Sequence, residues 1–121
     1  YKIKIMNYKF RKISYSANHI DPLWQYGVEV NDKSLIALEQ IEWWGWTPKE
    51  IQMIIDKSKE ATEENRYEYQ VEGSDLIIVI YPDEVYFFDH HTEKVEEDFK
   101  WSFSEFIDFM EKFKKFVEEN S

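Results

Sequence analysis

Cysteine is absent from the chain, which excludes a disulfide framework, a thiolate nucleophile and any Cys-based zinc or iron-sulfur site. That absence is compatible with the cytosol. Glycine and proline are scarce, three of each in 121 residues, so no flexible linker divides the sequence, and no repeat at solenoid periods is visible. Gly27, Gly45 and Gly73 stand too far apart to form a phosphate cradle. Long apolar runs are missing as well: Leu76 to Tyr81 is the longest, far too short to span a bilayer, and no secretory leader is recognisable. A single domain over residues 1–121 with a cytoplasmic location is expected.

Aromatic side chains are plentiful. Five Trp, eight Tyr and nine Phe make up 18% of the residues, enough to fill a core with few side chains and to leave some for a surface. Charge is abundant and lopsided, with a net value of -10. Residues 1–20 carry five basic and no acidic residues, residues 21–82 five against thirteen, and residues 83–121 five against twelve. Such a chain repels phosphate backbones and anionic membranes and attracts basic partners at long range, although solubility alone selects for the same composition.

Alternation places Ile3 and Ile5 against Lys2 and Lys4, shifts to Tyr8 and Phe10, and returns to Ile13 and Tyr15. This predicts one or two strands with a bulge or turn near Asn7 and the basic residues on a wet face. Asp21-Pro22 and Gly27 predict irregular structure through Val30. Asn31 or Asp32 caps a helix predicted from about Lys33 to Trp44, ended by Gly45. Thr47, Pro48 and Glu50 open a second helix with a buried stripe of Ile51, Ile54, Ile55 and Ala61.

The period then becomes two. Tyr67, Tyr69 and Val71 form a strand, Gly73-Ser74 a hairpin turn, and Leu76 to Tyr81 a central strand covered on both faces. Val85 to Phe88 follow the Pro82-Asp83 turn. Val95, Phe99 and Trp101 mark an edge strand carrying Glu96, Asp98 and Lys100 outward and Glu97 inward. The chain closes with an amphipathic helix entered through Ser102 and Glu105, or through Ser104. Its stripe is Phe106, Ile107, Met110, Phe113 and Val117, widened by Phe109 and Phe116. The expected class is α+β, a mixed or largely antiparallel sheet with a helical pair before the main strands and the last helix packed on the sheet.

Asp89-His90-His91-Thr92 is the most catalytic-looking string, but adjacent His on a strand or turn diverge and no third ligand stands at a usable spacing. It reads better as a polar loop, and His19 as a local hydrogen-bonding residue. No nucleophile elbow, zinc-binding helix, Walker loop or dinucleotide fingerprint is present. No catalytic residue, cofactor or metal is therefore expected. Leu38 to Ile55 resembles a helix-turn-helix unit, but its reading helix sets Lys49, Lys57 and Lys59 against Glu50, Asp56, Glu60, Glu63 and Glu64, a negative sum facing phosphates. A nucleic-acid or regulator-binding adaptor built on residues 33–63 is the alternative reading.

Trp43, Trp44 and Trp46 form the most informative cluster. Consecutive helical residues diverge by about 100°, so Trp43 and Trp44 cannot both enter one core from a helix, and at least one is expected at a surface. A small aromatic core could absorb the others. An indole rimmed by acids has the composition of a protein interface.

The acidic, Cys-free layout resembles the bacterial toxin-immunity proteins, particularly those paired with contact-dependent growth inhibition toxins. The likeness includes the Glu84-Val85-Tyr86-Phe87-Phe88-Asp89 strand and the closing Ser104-Glu105-Phe106-Ile107-Asp108-Phe109 helix. It implies a cytosolic antidote bound to one cognate toxin domain, often a nuclease, with no membrane contact. On that reading Trp43, Trp44 and Trp46 supply anchors, and Asp83, Glu84, Glu96 and Asp98 supply carboxylates facing a basic cleft.

Overall fold

The structure, a computed structural model, describes residues 7–15, 23–90 and 96–121. The predicted Ile3/Ile5 alternation, the Asp21-Pro22 turn, His19, His91, Thr92 and Val95 lie outside those residues. The architecture is α+β. Strands β1 (Tyr8–Tyr15) and β2 (Leu23–Val30) form an antiparallel ribbon. A 3-10 helix (Lys33–Ile41) and helix α1 (Pro48–Lys59) follow, then β3 (Tyr67–Gln70), β4 (Leu76–Ile80), β5 (Glu84–Asp89) and β6 (Phe99–Ser102) in a four-stranded antiparallel meander, and finally helix α2 (Phe103–Asn120).

The ribbon corrects two expectations. Leu23–Val30 is a strand rather than irregular chain, because Trp24, Tyr26, Val28 and Val30 alternate and Gly27 makes no turn. A Cβ at Gly27 would lie 2.8 Å from the Glu42 Cβ. The glycine instead lets Glu42 lie across the strand and accept a 3.1 Å bond from Arg11 Nε, the residue paired with Gly27. Register also runs unbroken from Tyr8 to Tyr15, so Lys12 shares a face with Tyr8 and Phe10 while Ile13 faces the other way. The basic residues are thus not one wet row. Lys9 is exposed and pairs with Glu29, Arg11 is half-buried, and Lys12 sits over the Trp24 ring and donates to the Asn120 carbonyl.

The predicted helix through Trp44 ends at Ile41 and is 3-10 in form. Asp32 caps it by accepting the Ser34 N–H at 2.9 Å, and Ala37, Leu38 and Ile41 are buried. It stops because Trp43 leaves to exchange two 3.1 Å backbone bonds with Tyr26 of β2, which a further helical turn would forbid. Helix α1 begins as predicted, with Thr47 Oγ1 accepting the Glu50 N–H and Pro48 in the first turn. It buries Ile51, Ile54, Ile55 and Ser58; Ala61 lies beyond the helix and is half-buried.

Helix α2 carries the full reciprocal capping box between Ser102 and Glu105. Its fully buried residues are Phe106, Phe109, Met110, Phe113 and Val117, so Phe109 belongs to the centre of the stripe and Ile107 to its flank. One side packs on the sheet through Phe106 against Phe87 and Phe109 against Trp101. The other side meets the ribbon through Phe10, stacked on Phe113 with ring centres 5.5 Å apart.

Candidate functional site

The tryptophan cluster occupies the turn between the two helical segments, and each indole has a different role. Trp46 is 3% exposed, donates its Nε1–H to the Ile41 carbonyl at 2.7 Å, and packs edge-on to Phe113. A buried indole with a satisfied N–H is a structural anchor. Trp43 is half-buried, pinned by its bridge to Tyr26 and by an edge contact of 5.3 Å with Trp46. Trp44 is 63% exposed and leans on Trp43 at 5.9 Å. The surface indole expected from helical geometry is therefore present, but it arises from a β-bridge and turn rather than from divergence around a helix.

Gly45 makes this turn possible, since a Cβ there would fall inside the van der Waals envelope of the Trp43 ring. The chain folds back on its own indole, and that close approach positions Trp43 and Trp44 side by side. Across from them stands the tip of the β3–β4 hairpin, where Gly73 adopts φ +76°. Two ties hold the tip in place: the Gln40 side chain accepts the Asp75 N–H at 3.2 Å, and Tyr69 packs 6.1 Å from Trp46. Between turn and hairpin lies a notch of about 350 Å³ lined by Gln25, Glu42, Trp43, Trp44, Glu72 and Gly73. Two indoles and two carboxylates thus share one concavity on a braced frame.

The four carboxylates expected to act with the indoles are not gathered beside them. Asp83 and Glu84 follow the far end of β4, whereas the Gly73 hairpin and the notch adjoin its near end, with the five residues of the strand between. Glu84 is engaged internally: it accepts the Tyr86 hydroxyl at 2.6 Å and faces Lys100 at 3.6 Å. The Tyr86 bond, followed by the Lys100 charge, holds its carboxyl below the usual range, while the same bond pushes the Tyr86 phenol up to about 12. Asp98 accepts the Asp89 N–H at 2.7 Å and so serves the β5–β6 junction. Asp83 and Glu96 are exposed. Two of the four carboxylates thus accept bonds within the chain, and the set is spread over two ends of the sheet.

A second surface escaped the sequence reading. Leu76, Ile78 and Ile80 face the helices, but Val79 and Tyr81 point to the opposite face with Tyr86 and Phe88 of β5, lining a concavity of about 410 Å³ together with Arg66, Glu68 and Glu97. The expectation that β4 is covered on both faces is thus corrected for the described residues: among them the second apolar row is shielded by neighbouring rings and side chains and by no further layer. Glu97, expected inward, lines this outer concavity. Parity of the β5 pattern, with Val85 and Phe87 inward and Tyr86 and Phe88 outward, was the available signal.

His90 is exposed and its N–H is bonded to the Asp75 carbonyl. Among the described residues no group of three His, Asp or Glu side chains is placed to hold a metal ion, and no helix is long and apolar enough to cross a membrane. The outer face of α1 presents Lys49, Gln52, Met53, Asp56, Lys57 and Glu60, a mixed rather than basic surface. Comparison with family models, curated proteins and solved structures gives no match for this chain.

Proposed function

We propose that this protein binds and neutralises a basic protein domain, as a toxin-immunity protein does, with a nuclease domain as the favoured target and the cytoplasm as the place of action. The observation that carries the reading is Trp44: a largely exposed indole, set on a braced turn, in a notch that also holds Glu42 and Glu72. Exposing an indole forgoes burial of a large apolar surface, and interface hot spots are enriched in such residues when they stand ready to be desolvated by a partner. The net charge of -10 supports the same reading, because it accelerates encounter with a basic surface. A nuclease cleft is basic in order to hold phosphates, so an acidic, aromatic surface competes with its substrate in the same field.

Capture on the immobilised chain from cells that produce it, followed by mass spectrometry and co-expression, tests this. The expected result is one basic protein, harmful when expressed alone and tolerated when this chain is co-expressed. Enrichment of DNA of defined sequence without a protein partner would instead favour the adaptor reading of residues 33–63.

A further inference from the structure

From the Trp43–Trp44 notch we infer a recognition site for one arginine side chain of the partner, whose guanidinium lies on the exposed Trp44 ring and is met by the Glu72 carboxylate. The inference rests on the reading of the protein as a binder of a basic protein. Three observations lead to it. Trp44 is 63% exposed, and its ring is tilted by 50° to that of Trp43 rather than stacked on it, with centres 5.9 Å apart, so the Trp44 ring keeps surface open to a planar cation. Of the two carboxylates, Glu42 is already compensated by Arg11 at 3.1 Å, whereas Glu72 is exposed and has no ion pair or hydrogen bond among the described residues. An indole and an unpaired carboxylate in one concavity complement a cation on both counts.

The molecule itself supplies an internal comparison. Trp24 is also exposed, at 43%, but its ring is occupied by Lys12, whose Nζ lies 4.5 Å from the ring centre. Among the described residues no Lys or Arg of the chain lies over Trp44. The same pairing that the ribbon completes from within is thus left, at the notch, for another molecule. Guanidinium suits the site better than ammonium, since it is planar, weakly hydrated, able to stack on an indole, and able to donate two parallel bonds to one carboxylate.

The test uses the intact, 15N-labelled chain and N-acetyl-arginine amide as probe, with N-acetyl-citrulline amide as the uncharged isostere and N-acetyl-lysine amide as the ammonium control. The indole N–H resonances report binding, assigned through single Trp→Phe variants. Saturable shifts at Trp43 and Trp44 with the arginine probe are expected. Citrulline should give an affinity at least about fivefold lower, and lysine one lower than arginine. Glu72→Gln should weaken the arginine response about threefold or more, and Trp44→Ala should abolish it at Trp43 while the amide spectrum stays folded. No saturable shift, an equal response to citrulline, or shifts confined to Trp24 would overturn the assignment. If a basic partner is captured but the probe does not bind, the arginine site alone fails. Probe binding without any basic protein partner would leave the site standing and remove the functional reading.

Discussion

Trp46 and Trp44 are two residues apart, and the chain treats them oppositely. The first is sealed between Ile41 and Phe113 with its N–H satisfied, while the second projects from the same turn with most of its ring exposed. The buried indole positions the exposed one: Trp46 holds the turn, the Tyr26 bridge holds Trp43, and Trp44 is presented on a frame that would need little ordering on binding the proposed partner. A parallel contrast separates the carboxylates. Glu84 and Asp98 serve internal bonds, whereas Glu72 faces outward beside the indoles. Aromatic and acidic residues that look alike in composition are thus divided between holding the fold and facing outward, where the proposed partner would meet them.

The sharpest way to break this division is to truncate both indoles. Trp46→Ala should cost about 3–5 kcal/mol of stability, the range for a large aromatic removed from a packed core. Trp44→Ala should stay within about 0.5 kcal/mol, as for a surface substitution. Urea unfolding followed by circular dichroism measures both, and equal losses would erase the contrast. Gly45→Ala comes next, at about 1–3 kcal/mol, because its methyl group meets the Trp43 ring and the turn must open. The Trp43 indole resonance should move in the same variant, and an unchanged resonance and midpoint would mean that the turn is not set by that approach.

Smaller effects separate the carboxylates. Asp83→Lys with Glu96→Lys should slow association with a basic partner about tenfold at low salt and little at high salt, since both side chains are exposed and act through long-range attraction. Stopped-flow mixing at two ionic strengths reads this, and salt-independent slowing would assign these residues to direct contact instead. Glu84→Gln should leave association nearly unchanged but lower the Tyr86 pKa from about 12 toward 10, because the neutral amide no longer stabilises the protonated phenol. An ultraviolet pH titration shows the shift, and a Tyr86 that still ionises late in this variant would contradict the internal role of Glu84.

Much of the fold was legible because local signals agreed with packing. The Thr47-Pro48-Glu50 start, the Gly73 turn, the Ser102–Glu105 capping box and the α2 stripe all combine a backbone requirement with a periodic apolar face. Reading failed where a residue answered to a distant neighbour. Gly27 looked like a turn but makes room for Glu42, and Gly45 looked like a helix stop but makes room for Trp43. Neither approach is visible without the third dimension. A surface indole at Trp43 or Trp44 was legible, but not which of the two, nor its neighbour in the notch, Glu72, since only the β3–β4 hairpin brings residue 72 opposite residue 44. The continuous apolar run in β4 could not show that one of its faces has no covering layer among the described residues, because neighbouring rings shield an outward Val79 almost as well as such a layer does.

The most direct test of the account is to measure association and dissociation of the captured basic partner with the unmodified chain and with Trp44→Ala. Loss of a hot-spot indole should cost about 2 kcal/mol or more, roughly a thirtyfold weakening, expressed mainly as faster dissociation with stability unchanged. Dissociation at the original rate from Trp44→Ala would contradict the account and place the binding surface elsewhere on the molecule.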